Sequence, residues 1–320
     1  MSCNRISRRK LLRATAATVL GGVAIATHSK QEASEPPKFL GAIDAHSHVW
    51  SHDTNKYLFG KWVEKDKVDP AFTPADLLEI ARASGVERVV LIQHAPYHGY
   101  DNSYILDCAR EHPGVFSVVA MIDERQPELR QRLKKLRDAG ARGIRIGPTN
   151  HADRTPNDDP PNWLKAAGIQ TLWKQAAEMN IAVCPLLGSE FLPTLDPMCA
   201  QHPETTCVID HFGHIDMQGK ASVKSLTRLA RHPNVYVKVS AFYKFGDQKA
   251  PYDDLLPMMR TVVDAFGPQR LMWGSDCPYQ LRNDNNYADA LALIRDGCDF
   301  LSDGDKQAIL RDTAARVFFV

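Results

Sequence analysis

Short apolar runs alternate with amphipathic stretches from residue 42 to the end of the chain. Apolar runs of this length, bounded by polar residues, are typical of strands that are buried on both faces of a sheet. The pattern predicts a first strand that begins at Ala42, followed by strands at residues 89–93, 116–122, 143–146, 181–185, 206–210, 235–239 and 271–274.

The amphipathic stretches between these runs carry helix start and stop signals. Before the second strand, Thr73 offers a capping hydroxyl, Pro74 suits the first helical position, and Gly85 follows the helix end. Helices are expected at residues 73–84, 103–111, 127–139, 172–179, 192–201, 222–231, 255–266, 287–295 and 305–317.

Strict alternation of strands and helices predicts a parallel sheet with helical crossovers. Eight strand–helix units favour a closed (β/α)8 TIM barrel in a single domain over an open, doubly wound α/β sheet. The sequence has neither a G-x-G-x-x-G motif after a strand nor a Walker loop, which disfavours the nucleotide-binding α/β folds.

The composition is that of an ordinary globular protein, with 44% hydrophobic residues in a chain of 320 and a formal net charge of +1. A charge near zero argues against electrostatic binding to nucleic acid or to a membrane surface, so a small-molecule substrate is the expected partner. The seven cysteines include no C-x-x-C pair and indicate buried free thiols. The sequence does not indicate an oligomeric state.

The N-terminal segment, residues 1–26, resembles an export signal. Arg8 and Arg9 precede an apolar stretch that ends in the small residues of a cleavage site. This predicts export by the twin-arginine route to the periplasm or another extracytoplasmic space. An uncleaved anchor is the alternative, although the stretch is shorter than the ~18 residues of a membrane span. Residues 27–39 are expected to be a flexible lead-in to a barrel domain at residues 40–320.

Two histidines lie at alternate positions in the first strand segment. Because side chains of a strand alternate between its faces, His46 and His48 are expected to point the same way. Two imidazoles on one face are half of a site for a divalent metal such as zinc. Two unrelated polar residues just after a strand end are the alternative interpretation.

In a (β/α)8 barrel the carboxyl ends of the strands form one face, and active sites lie there. The ionisable or polar residues at those ends are His46, His48, Gln93, His94, Arg145, His211, Lys238 and Asp276. Three histidines and one aspartate can bind a divalent metal, and Asp276 could take a proton from a water that the metal activates. Lys238 faces either this site or a layer of the barrel interior. Pocket-lining or surface positions are both open for the loop residues Tyr97, His98, Tyr243 and Arg282.

Three motifs resemble the signatures of the amidohydrolase superfamily: Asp44-Ala45-His46-Ser47-His48, Asp210-His211-Phe212-Gly213 and Trp273-Gly274-Ser275-Asp276-Cys277-Pro278. They are most similar to the amidohydrolase-related branch of small lactonases and decarboxylases. The loop from Gln93 to Asn102 is similar to the matching loop of the 2-pyrone-4,6-dicarboxylate lactonases. The resemblance covers residues 40–318, and it implies a TIM-barrel hydrolase.

The resemblance also implies roles for individual residues. His46 and His48 match the histidine pair of the first strand, and His211 matches the histidine of the sixth strand. Asp276 matches the general base, and Arg145 lies where related lactonases hold a substrate carboxylate, which suits its planar guanidinium. Further candidates for substrate binding are Gln93, His94, Tyr97, His98 and Lys238.

One divalent metal, with zinc as the expected ion, is implied as a cofactor. A metal-free site, in which the same histidines polarise a carbonyl, is also consistent with the resemblance. Many metal-bearing relatives have a histidine at the end of the fifth strand, where this chain has Cys184, which is either a soft ligand or a core thiol. The fourth strand lacks a lysine or glutamate that could bridge two metals.

The expected function is that of a hydrolase that opens a lactone or similar cyclic ester of a small, carboxylated organic acid or sugar acid. The alternatives are a non-oxidative, metal-dependent decarboxylase on the same scaffold and a non-catalytic exported binding protein. The lactonase ranks first because of Arg145 and the loop at residues 93–102, and the complete histidine and aspartate set argues against a binding protein.

Overall fold

The computed structural model describes residues 41–149, 151–216 and 220–320. The predicted export signal at residues 1–26 and the lead-in at 27–39 lie outside the described residues. Eight parallel strands follow one another along the chain: β1 (Ala42–Ser47), β2 (Val86–Ile92), β3 (Phe116–Ala120), β4 (Ala141–Ile146), β5 (Ala182–Pro185), β6 (Cys207–Ile209), β7 (Val235–Ser240) and β8 (Leu271–Gly274).

The helices of the described residues are α1 (Pro74–Ala83), α2 (Ala95–His98), α3 (Ser103–Glu111), α4 (Leu129–Asp138), α5 (Ala167–Glu178), α6 (Leu192–Gln201), α7 (Lys220–Arg228), α8 (Leu256–Phe266), α9 (Tyr287–Ala292), α10 (Asp303–Gln307) and α11 (Thr313–Phe318). The start of α1 follows from its capping box, in which Thr73 and Asp76 each accept a hydrogen bond from the other's backbone N–H. No helix among the described residues combines the length and the apolar character that crossing a membrane requires.

The strands pair in sequence order from β1 to β8, which confirms the (β/α)8 barrel. Alternate side chains point inward, and among them Ile43, Val90, Val208 and Met272 form a fully buried apolar layer inside the barrel. Phe318 of α11 packs against this layer, and its backbone carbonyl accepts a hydrogen bond from the Ser117 hydroxyl near the start of β3. The barrel interior is therefore apolar toward the amino-terminal ends of the strands, and its buried charged side chains lie toward the carboxyl ends.

A buried carboxylate reinforces the seam between β8 and β1. In the described chain these two strands meet in only one parallel bridge, just beyond the end of β8. Asp44 Oδ1 accepts hydrogen bonds from the backbone N–H groups of His46 and Ser275, each at 2.9 Å. Its Oδ2 accepts from the hydroxyls of Ser47, Ser275 and Tyr287 at 2.7, 2.6 and 2.9 Å. Asp44 therefore joins the first and last strands at the level where the site residues begin.

We expect Asp44→Asn to lower the free energy of unfolding by about 1–3 kcal/mol, because an amide NH₂ would replace one acceptor and face donors without a partner. Urea unfolding followed by circular dichroism measures this loss. Asp305→Asn is the matched control, since Asp305 is a partly exposed carboxylate in the capping box of α10 and its loss should cost less. Equal losses in the two variants would contradict a special role for Asp44.

Candidate active site

A cavity of about 480 Å³ opens at the carboxyl ends of the strands. Its charged lining, within the described residues, comprises four cationic side chains and one carboxylate: Arg145, Arg154, Lys244, Arg282 and Asp276. A concave surface with this excess of positive charge attracts and holds an anionic ligand. The cavity thus lies where the sequence predicts the active site.

Asp276 is the centre of the candidate site. It follows β8 with a left-handed backbone, at a φ of 60°, and its side chain is almost fully buried. Its Oδ1 lies 3.3 Å from His48 Nε2 and 3.6 Å from His46 Nε2. Its Oδ2 lies 3.8 Å from His211 Nε2 and accepts a hydrogen bond of 2.6 Å from the Tyr243 hydroxyl. The fold therefore brings together the four residues predicted as metal ligands.

Burial sets the protonation states of this group. It lowers the pKa of His46 and of His211 well below the usual range, so both imidazoles are neutral at physiological pH. Burial alone would raise the pKa of Asp276, but the neighbouring imidazoles of His211 and His48 and the hydrogen bond from Tyr243 hold that pKa well below its usual range. An ionised carboxylate beside neutral imidazoles is the state that a general base requires.

Beneath Asp276, a second buried carboxylate organises the cations. Asp210 Oδ1 lies 3.0 Å from Lys238 Nζ, as an ion pair, and 3.3 Å from His46 Nδ1, while its Oδ2 accepts from Arg145 Nη2 at 3.0 Å. Burial would raise the pKa of Asp210, but Lys238 and Arg145 outweigh it and lower that pKa. Arg145 Nη2 also lies 2.8 Å from His46 Nε2, and since a guanidinium only donates, the ring proton of His46 is on Nδ1.

The donor set fits a divalent metal. One ligand atom from each of His46, His48 and Asp276 lies within 4.8 Å of the others. His48 Nδ1 lies 3.0 Å from the Ile92 carbonyl, which orients the ring so that its Nε2 faces Asp276. His46 Nε2 accepts from Arg145 in this structure, and the same lone pair would bind a metal. Two imidazole nitrogens and a carboxylate that converge in this way suit a bound cation.

His94 contributes to the cavity wall. It is fully buried, its ring stacks on Trp50 at 4.4 Å, and its Nε2 lies 2.9 Å from the Tyr279 hydroxyl. Burial lowers the pKa of His94 well below the usual range, so the ring is neutral. Its Nδ1 is buried and has no hydrogen-bond partner within the described residues, which leaves this atom available to a ligand.

The other predicted substrate-binding residues lie outside the cavity lining. The Gln93 amide donates to two backbone carbonyls of the following loop, at 3.0 and 2.6 Å. Tyr97 accepts a hydrogen bond from a backbone N–H of the loop after β1, and His98 Nδ1 lies 3.1 Å from the Leu58 carbonyl. Lys238 is fully buried in the barrel interior. These four side chains hold loops and buried charges in place.

Left-handed backbone recurs where the site segments leave the barrel. His211, Phe212 and His214 after β6, and Ala241 after β7, have φ values of 50°, 52°, 46° and 59°. Residues other than glycine rarely adopt this conformation, and such strain is most frequent at functional sites. The turns direct His211 back over the barrel, where its Nδ1 lies 2.8 Å from the Ser240 hydroxyl.

Cys184 belongs to the core. It is fully buried in the apolar layer of the barrel interior, and burial raises the pKa of its thiol to about 12. The converging donor atoms found among the described residues belong to His46, His48 and Asp276, and Cys184 is not part of that group. The fifth strand therefore contributes packing, and not a ligand, to this site.

Sequence reasoning missed the roles of Asp44, Asp210 and Tyr243. Asp44 and Asp210 each lie inside a motif in which only the neighbouring histidine was assigned a role. A carboxylate in an otherwise apolar strand needs a buried partner, and that requirement was the signal available for both. Tyr243 follows β7 on an irregular turn, so the sequence gives no spacing that aims its hydroxyl at Asp276.

The chain belongs to the amidohydrolase family, which it matches over residues 43–320. It is therefore a hydrolase of the amidohydrolase superfamily, as the motifs at the strand ends predict. The match covers the barrel from the second residue of β1 onward and includes every residue of the candidate site.

Curated relatives of this chain are named as lactone hydrolases. The chain is 31% identical over 277 residues to an L-fucono-1,5-lactonase of Burkholderia ambifaria, with 83% of this chain and 91% of that protein covered. It is 29% identical to a 2-pyrone-4,6-dicarboxylate hydrolase of Comamonas testosteroni, with 79% and 82% covered.

Solved structures show the same fold. An amidohydrolase from Burkholderia multivorans with bound zinc superposes with a TM-score of 0.73 at 23% identity, covering 87% of this chain and 99% of that one. A 2,6-dihydroxybenzoate decarboxylase from Rhizobium superposes with a TM-score of 0.62 at 14% identity, covering 87% and 98%. At these sequence identities the two structures show that the chain shares their barrel fold, and they do not show which reaction it catalyses.

Proposed function

We propose that this enzyme hydrolyses a lactone or similar cyclic ester of a small, carboxylated organic acid or sugar acid. The observation that carries the proposal is the ionised Asp276 carboxylate, held among three histidines in a cavity whose other charged lining residues are lysine and arginine. Hydrolysis of an ester needs a base that deprotonates water, and a carboxylated substrate needs a cation that binds it. The lactonase names of the curated relatives support this choice.

Arg145 is the proposed anchor for the substrate carboxylate. Its Nη2 is held by Asp210 and His46, whereas its Nε is buried and has no hydrogen-bond partner in the described part of the chain. A buried guanidinium N–H without a partner is costly unless a ligand accepts from it. Arg145 is therefore oriented by the protein from one side and free to bind an anion from the other.

Asp276 is the proposed general base. In the hydrolytic step, Asp276 takes a proton from water while the water oxygen bonds to the lactone carbonyl carbon. The ring C–O bond of the tetrahedral adduct then breaks, and Asp276 returns the proton to the leaving ring oxygen. This sequence consumes one water, opens the ring to a hydroxy acid, and leaves Asp276 ionised for the next turnover.

We further propose that one divalent metal, with zinc as the expected ion, binds at this site. His46, His48 and Asp276 would hold it, with His211 beside it, and the chemistry supplied there is Lewis-acid polarisation of the reacting carbonyl. The convergence of ring nitrogens from the two first-strand histidines with the Asp276 carboxylate supports this assignment, and so does the zinc in the Burkholderia multivorans structure.

Elemental analysis of the purified protein should find no more than one equivalent of divalent metal per chain, and His48→Ala should reduce that content. His52→Ala is the control, because His52 is an exposed histidine outside the donor set. Two tightly bound equivalents would contradict a single site. If the enzyme keeps full activity after chelation has removed all metal, the histidines, and not a metal, polarise the reacting carbonyl.

We expect Asp276→Asn to lower kcat about 10²–10⁴-fold, the usual loss when a positioned base is removed. Arg145→Lys should instead raise KM about 10–100-fold, because a point charge cannot replace the hydrogen bonds of the guanidinium fork. Steady-state kinetics on a panel of carboxylated and neutral lactones measures both effects, with circular dichroism to verify folding. A near-normal kcat in Asp276→Asn would refute the hydrolytic mechanism.

We propose that the chain is exported by the twin-arginine route, on the basis of Arg8, Arg9 and the apolar stretch that follows them. The double variant Arg8→Lys with Arg9→Lys should accumulate in the cytoplasm, since the export machinery recognises the signal by its arginine pair. Cell fractionation and immunoblotting measure this, with Arg5→Lys as the matched control. Normal periplasmic accumulation of the double variant would exclude the route.

A further inference from the structure

The seventh strand orients the site without supplying any of the proposed metal ligands or the proposed base. Lys238 and Ser240 are two residues apart on β7, so both point into the barrel. Lys238 Nζ forms an ion pair with Asp210 at 3.0 Å, and the Ser240 hydroxyl lies 2.8 Å from His211 Nδ1. The loop after β7 then brings Tyr243 over the cavity. Each of these contacts fixes a group that belongs to a neighbouring strand.

Tyr243 makes the shortest of these contacts. The left-handed backbone of Ala241 turns the chain directly after β7, and the helical turn at Phe242–Lys244 presents the Tyr243 ring to the cavity. Its hydroxyl donates to Asp276 Oδ2 at 2.6 Å, a length typical of a hydrogen bond from a hydroxyl to a charged oxygen. Burial raises the pKa of Tyr243 further above its ordinary value, so the phenol stays protonated and can only donate to the carboxylate.

A carboxylate held at one oxygen is also held at the other, because the group is planar. With Oδ2 fixed by Tyr243, the remaining Oδ1 faces the Nε2 atoms of His48 and His46 at 3.3 and 3.6 Å. Without that hydrogen bond the Asp276 side chain could rotate and present either oxygen. Small displacements of a catalytic group cause large losses of rate, because the group must be aligned with the reacting atoms.

We propose that Tyr243 is a positioning residue that fixes the Asp276 carboxylate in the orientation that deprotonates water. The proposal rests on the proposed hydrolytic function, since it assigns the alignment of the base in that reaction. Tyr243 acts through its hydroxyl alone, and the aromatic ring provides the cavity wall. Removal of the hydroxyl with retention of the ring therefore isolates the proposed role.

Tyr243→Phe should lower kcat about 10–100-fold, the range for loss of a hydrogen bond to a charged group. KM should change less than about threefold, because Arg145 and the other cations still hold the substrate. The measurement is steady-state kinetics on a lactone that the wild-type enzyme turns over. Tyr236→Phe is the matched control, since Tyr236 lies on the same strand, is not part of the cavity lining, and should leave both constants unchanged.

A double-mutant cycle separates positioning from a general structural effect. In the Asp276→Asn background, Tyr243→Phe should have little further effect, because no base remains to be aligned. A full additional loss there would overturn the proposal, as would a raised KM with normal kcat, which would make Tyr243 a substrate contact. If the wild-type enzyme opens no lactone of the panel, the proposed function fails. If the wild-type enzyme is active and Tyr243→Phe has the same kcat and KM, the proposed positioning role is wrong and the proposed function stands.

Discussion

The arrangement of the site depends on the Asp44 carboxylate. The backbone pairing between β8 and β1 is sparse, yet the proposed base follows β8 and two of the proposed metal ligands lie on or just after β1. Asp44 spans this seam with five accepted hydrogen bonds, and backbone bonds from Asp276 N–H to the His46 carbonyl and from His48 N–H to the Cys277 carbonyl lie beside it. The same hydrogen bonds therefore close the barrel and place the site residues of β1 and β8 beside one another.

The architecture could be predicted from sequence because the barrel repeats one local pattern. Each apolar run is a strand, and the order of the strands in the sheet is the order of the runs. The sequence predictions are wrong where tertiary contacts determine the bounds of an element. The strand β2 starts at Val86 and not at residue 89, because Glu87 and Arg88 lie at the rim of the barrel, where polar side chains reach water. The short helix α2 and the two π-helical segments near the C-terminus, Leu293–Gly297 and Ala308–Asp312, have no clear apolar period.

The candidate site could be predicted in part for the same reason. A residue just after a parallel strand lies at the carboxyl face whatever the details of packing, and this brings His46, His48, His211 and Asp276 together. The directions of longer side chains depend on register and on turns. Gln93 folds back onto its own loop. Lys238 stays inside the barrel with Asp210, and Tyr243 reaches Asp276 only because of the left-handed turn before it.

Buried charges of the barrel interior are paired. Arg145 and Lys238 each lie 3.0 Å from a carboxylate oxygen of Asp210, and none of the three side chains is more than slightly exposed. Any one of these residues that changes its charge alone leaves an uncompensated ion in a medium of low polarity. The evolution of a new specificity at this site is therefore constrained to paired substitutions inside the barrel or to single changes on the loops, where water screens the charge. The outer wall of the cavity, with Arg154 and Lys244, is the part that can diversify one residue at a time.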